Sequence, residues 1–170
     1  GQFGRRQVDG LDAMAKQFNE HSGMLELDPS VEQPHYQTAG DIHCQPGGYH
    51  TNEREDDVTV GANYDVGLFA TTGGALGGFN DGGGTAVVGW VKSERPDWQP
   101  KRILDIGCPI GHNAVPIAPA VPDAEEIAIH TAAAHLRSGA ARAASKGDTT
   151  IDCVQASGTY PSRRGDEGIA

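Results

Sequence analysis

RILDIGCPIGHNAVPIA, residues 102–118, concentrates the residues of this chain that could do chemistry. The apolar residues Ile103, Leu104 and Ile106 flank an acid, Asp105, and lead into Gly107, Gly111 and a helix candidate. Glycines at a strand exit let the backbone turn sharply and approach a ligand, and a helix N-terminus behind them presents unpaired N–H groups. That combination suits a nucleotide or nucleoside at the carboxyl end of a strand. The glycine spacing is G-x-x-x-G and not the G-x-G-x-x-G of dinucleotide sites. It disfavours a pyrophosphate cofactor, and with it a nicotinamide oxidoreductase, and favours a nucleoside whose tail is an amino acid. Pro109 stands where many such loops carry another glycine, and it removes one N–H. His112 is a base by type, although a helix-start role is the plainer expectation.

A second group of reactive side chains, Asp41, His43, Cys44 and His50, lies in DIHCQPGGYH, with His35 nearby. These are good zinc or iron ligands, but their spacing matches no standard zinc motif. An extended backbone would also send His43 and Cys44 to opposite faces. A structured loop is expected there, and no metal site. Nine glycines between residues 61 and 84 could suggest a phosphate cradle. No Lys-Ser or Lys-Thr follows them, so a loosely helical segment packed at glycine faces, or a loop, is expected.

The elements that must position the 102–118 loop follow a regular order. Leu11, Met14, Ala15 and Phe18 predict an N-terminal helix, and residues 29–60 read mostly as loop. Ala86, Val87, Trp90 and Val91 give a helical stripe, with Trp90 a core anchor and Trp98 a loop anchor. Strands are predicted at 102–106, 125–130 and 150–154, and helices at 112–120 and 132–146. Leu136, Ala140 and Ala143 share a face of the last helix, and Gly147 is its expected C-cap. Pro116 lies near the first turn of the 112–120 helix and Pro119 does not, so that helix should be short or kinked. The fold class is α/β: the first half of a Rossmann-like, doubly wound parallel sheet, incomplete at about three strands. Residues 1–84 form an N-terminal extension or cap, 85–157 the half-domain, and 158–170 an irregular tail.

Composition narrows the partners. The 170 residues carry a formal charge of −10, and the basic residues are scattered. Neither nucleic acid nor an anionic membrane is an expected partner. No apolar run approaches a membrane span, and no signal peptide is visible. Three cysteines, Cys44, Cys108 and Cys153, form no C-x-x-C pair and suggest a reducing, cytoplasmic setting.

ILDIGCPIGHNAVPIA resembles the first motif of class I S-adenosylmethionine-dependent methyltransferases, an apolar strand and an acid followed by Gly-x-Gly-x-Gly. PDAEEIAIH, HLRSGAARAASKG and IDCVQAS are similar to the following strand, helix and strand of that family, and DIHCQPGGYH through TTGG resembles the N-terminal region of a bacterial subfamily. The resemblance runs from about residue 35 to 157. It implies methyl transfer from S-adenosyl-L-methionine to a small-molecule or unknown acceptor. Asp105, Gly107 and Gly111 would hold the amino-acid end of the cofactor, with the loop from Cys108 and Pro109 to His112 lining it. The 41–50 loop would fold over the crevice. Tyr64 either covers the cofactor, as an aromatic in the preceding helix does in many members, or is a core or interface tyrosine.

Three departures from the family pattern matter. The ribose-gripping acid would fall 19 residues after Gly111, where this chain has His130. A carboxylate accepts two hydroxyl hydrogen bonds and a neutral imidazole only one. Thr131 is a possible substitute. Ser157 stands where an Asp usually lies near the adenine. The family's sheet normally has seven strands, and the resemblance is lost after Ser157, so the expectation is a fragment without the residues that place the methyl acceptor. The alternative from another class is a degenerate, non-catalytic chain that binds no cofactor.

Overall fold

A computed structural model of the chain describes residues 2–33, 35, 39, 52 and 54–158, with side chains described from residue 7. The elements in chain order are α1 (Gln2–Asn19), β1 (Leu25–Glu26), α2 (Thr59–Thr71), α3 (Gly82–Glu94), β2 (Arg102–Ile106), α4 (Ala114–Ile117), β3 (Glu125–His130), α5 (Ala133–Ser145) and β4 (Ile151–Gln155). They form a mixed α/β structure around an all-parallel sheet of order β1-β4-β3-β2. The expected three strands are all present. The fourth, β1, is a correction: two residues of the N-terminal segment pair with Cys153 and Val154 at the sheet's far edge. A strand this short carries no readable alternation, and its pairing is decided by the neighbour it finds. The boundary expected after residue 84 falls inside α3.

Strand alternation sorts the sheet into two faces. On one face Leu25, Cys153, Ala128 and Asp105 lie in one row across the four strands, and Ile151, Glu126 and Ile103 in the next. This face carries the main core, where Ala128, Ile151 and Cys153 meet Leu136, Ala140 and Ala143 of α5 and Ala114, Val115 and Ala118 around α4. The other face presents Leu104, Ile106, Ile127, Ile129 and Val154, and Ile106 is 61% exposed.

α5 is the central helix. Seven of its 13 residues are buried, more than the single face a surface helix needs. One side meets the sheet. The other holds α1 and α2, where Ala141 packs with Ala15, Val58, Leu11 and Phe18. Small residues make the approach close: a Cβ on Gly139 would press on the Ile110 backbone, and one on Gly61 of α2 would strike Ser138. The Ser138 hydroxyl donates to the Val58 carbonyl. The helix ends as its sequence predicts. Gly147 takes φ +80°, its N–H donates to the Ala144 carbonyl, and the Asp148 N–H donates to Ala143.

The two prolines also act as expected. Pro116 is the third residue of α4, where its missing N–H costs no helix bond, and Pro119 falls in the 3₁₀ turn Ala118–Ala120. The glycine-rich stretch forms most of α2, a run of turns and the start of α3. One expectation fails among the exposed apolar residues. Met14, Val87 and Trp90 are 55%, 50% and 64% exposed, so Trp90 is no core anchor. Periodicity gives a face but not what covers it. Among the described residues no helix is long and apolar enough to cross a membrane.

Glu126 is the anomaly in the core. It is 2% exposed, and both carboxyl oxygens lack a hydrogen-bond partner. Burial, with Asp105 and Asp148 behind it, pushes its pKa up to about 8. The unfolded chain releases this proton near pH 4.5 and the folded chain only near 8. The neutral form therefore stabilises fully below 4.5, and that stability is lost as pH rises towards 8, by about 1.4 kcal/mol per unit. Glu126→Gln should flatten this decline between pH 6 and 8 in urea denaturation, and an unchanged slope would refute the assignment. In the same assay Leu136→Ala, which empties the centre of the α5 face, should cost about 3 kcal/mol.

Candidate functional site

The carboxyl ends of β2 and β3 are tied together before the glycine loop begins. The N–H groups of Gly107 and Cys108 both donate to the Ile129 carbonyl, at 2.9 and 3.1 Å. Gly107 has φ +79° and Gly111 φ +75°, values that L side chains rarely adopt, so both glycines are needed where they stand. Between them the Gly111 N–H donates to the Cys108 carbonyl at 2.6 Å and closes a four-residue turn. Pro109 occupies the second position of that turn, where its fixed φ is favoured and no N–H is called for. Asp105 accepts the Ala114 N–H, which joins the strand end to the start of α4. Burial nonetheless raises its pKa, and its Oδ2 is buried without a hydrogen-bond partner.

Cys108 is a correction. Its side chain is 3% exposed and packs in the main core beside Cys153, so the thiol does not line a crevice. Burial pushes both thiols up, Cys108 well above the ordinary range and Cys153 to about 12. A helix-end environment does not activate Cys108, because desolvation of a thiolate there is the larger effect.

Tyr64 and His130 do come towards the loop, through two histidines. The Tyr64 ring lies 5.8 Å from His112 and 5.5 Å from His135, and His135 lies 5.1 Å from His130. The four rings run from the glycine loop to the end of β3. The Ala132 N–H donates to His130 Nδ1 at 3.0 Å. Neutral His130 therefore carries its proton on Nε2 and presents a donor there, the reverse of a carboxylate. The Thr131 carbonyl accepts from Gln33 and Gln155 at 2.8 and 2.9 Å, which ties residue 33 and β4 to the end of β3.

His112 does more than start a helix. Its Nε2 lies 2.8 Å from Asp65 Oδ1. Asp65 also accepts from Asn80 Nδ2 at 2.8 Å and from Arg142 at 3.5 Å, and Arg142 also donates to the Phe79 carbonyl. Burial would raise the Asp65 pKa, but the bonds from His112 and Asn80 and the Arg142 charge outweigh it and lower it. Asn80 reaches this position with φ +54°, a conformation asparagine tolerates. The cluster clamps α2, the glycine loop and α5 together. Asp65 stands beside Tyr64 in NYD, yet sequence separation hid its pairing 47 residues away with His112.

Among the described residues no group of three His, Cys, Asp or Glu side chains could hold a metal ion. Asp41, His43, Cys44 and His50 lie outside the described residues.

The buried histidines set an acid limb of stability. Burial lowers His130 to about pKa 4 and His135 to about 3, against 6.5 when unfolded. Their contribution is complete above 6.5 and is lost as pH falls towards 4, because the unfolded chain takes up both protons. Two histidine protons outweigh the single opposing proton of Glu126, so stability should peak near pH 6.5. Histidine NMR titration should find both rings neutral at pH 5, and a ring titrating above pH 6 would contradict the burial described. No protein-family model matches the chain, and neither a curated protein nor a solved structure matches it.

Proposed function

We propose that the β2–loop–α4 unit holds the amino-acid end of S-adenosylmethionine, and that the chain serves as the N-terminal part of a Rossmann-like class I methyltransferase acting on an unidentified acceptor. The observation that carries this reading is the sharp turn at the carboxyl end of β2, with positive φ at Gly107 and Gly111. In a doubly wound sheet that strand end opens onto the ligand crevice. The order β4-β3-β2 is the order expected of its first half.

The residues fit the cofactor best at its amino-acid end. Asp105 would offer its unbonded oxygen to the ammonium, and a Cβ on Gly107 would meet open space, leaving room for a ligand. At the ribose His130 would donate from Nε2 where an acid would accept. Tyr64, His112 and His135 would wall the crevice and exclude water. When bound, the cofactor supplies a methyl group made electrophilic by its sulfonium. The chain's task is to align that methyl with an acceptor.

A second reading, a loop that binds no nucleoside, is favoured by the commitment of the Gly107 and Cys108 amides to Ile129. Titration calorimetry separates the two. S-adenosylhomocysteine should bind the folded chain with a Kd of about 1–100 μM, and NADH should not bind. Gly111→Val, which forces φ and crowds Val115, should abolish binding. His130→Asp, which restores two acceptors, should tighten it by about tenfold, worth about 1.4 kcal/mol. A folded chain with no affinity for S-adenosylhomocysteine would establish the second reading.

A further inference from the structure

A groove lies at the amino ends of β2 and β3, the opposite end of the sheet from the glycine loop. The last turns of α3, residues 95–100 and the 120–124 turn enclose about 410 Å³. That volume falls within the roughly 300–1,000 Å³ of small-molecule sites. Val87, Val91, Trp98, Ile103, Ile117 and Val121 supply apolar walls. Val87 and Trp98 remain 50% and 46% exposed, so a large apolar surface is left for a ligand to cover.

Charge distinguishes this groove from a plain apolar gap. Lys92 and Arg95 stand on the α3 side, and neither makes an ion pair among the described residues. Asp123 on the far wall offsets one of the two charges. In a chain of net charge −10, an apolar groove edged by two unpaired cations matches an anion with an apolar body. A second copy seated over the groove with Lys92 and Arg95 at the two-fold axis would bring these cations against their own counterparts, a like-charge contact. A neutral apolar ligand would make no use of them.

We propose that this groove binds a small amphiphilic carboxylate, its apolar chain against Trp98, Ile103 and Ile117 and its carboxylate between Lys92 and Arg95. The guanidinium fork can take a carboxylate through two parallel hydrogen bonds.

The test uses three ten-carbon probes, decanoate, decanol and decyltrimethylammonium, below their micelle concentrations. The full chain carries Trp90→Phe so that Trp98 is the sole tryptophan reporter. Calorimetry and Trp98 fluorescence should show one decanoate per chain, bound about tenfold or more tightly than either other probe. Lys92→Gln with Arg95→Gln should weaken decanoate about tenfold and leave decanol unchanged, with circular dichroism confirming the fold. Equal binding of the three head groups, several decanoates per chain, or undiminished binding by the double variant would overturn the proposal. So would a dimer in sedimentation that Val91→Glu dissociates, since a second copy would then occupy the groove.

Discussion

The two-sided burial of α5 is the constraint on which the rest of the molecule depends. A helix that faces a sheet on one side and two helices on the other cannot carry bulky side chains all round. Its sequence answers with Gly139, Ala140, Ala141 and Ala143, and with Leu136 as the one large apolar filler. Because Gly139 has no side chain, the Ile110 backbone can lie against it, and the glycine loop is thereby held against α5 as well as at the ends of β2 and β3. The loop geometry is a consequence of core packing as much as of its own glycines.

The same closeness decides the chemistry of the loop. Cys108 faces inwards because the turn after Gly107 leads back towards the core, and its thiol becomes filler. Pro109, the residue that looks most out of place in the sequence, suits the turn it occupies. The polar character of the region is shifted outwards to Asp65, His112, Asn80 and Arg142, which bind three separate segments through one carboxylate. An anchored loop of this kind is preorganised, and it has few amides left to offer.

The readable part of the sequence was the part with local causes. Strand runs, the Leu136–Ala140–Ala143 face, the Gly147 cap and the two prolines each depend on residues a turn or two apart, and each appears in the structure. The parallel α/β arrangement followed from their order. β1 was not legible, because two residues have no period. The exposure of Trp90 was not legible, because a stripe does not say what covers it. The Asp65–His112 contact and the buried Glu126 were not legible either. EEIAIH places two acids side by side, and only the register, with Glu126 between Ile103 and Ile151, decides which one is enclosed. Function was legible only as resemblance, and His130 marks the position where that resemblance and the local hydrogen bonding diverge.

β2 forms one border of the sheet among the described residues, with Ile106 open to water at its end. A border strand carries backbone donors and acceptors on its free side and can recruit any extended chain. At neutral pH the shared negative charge of two copies opposes such pairing. That repulsion vanishes near the isoelectric point of about 5. Colloidal behaviour and folding thus have separate acid limits: a solution can cloud near pH 5 while its molecules are still native.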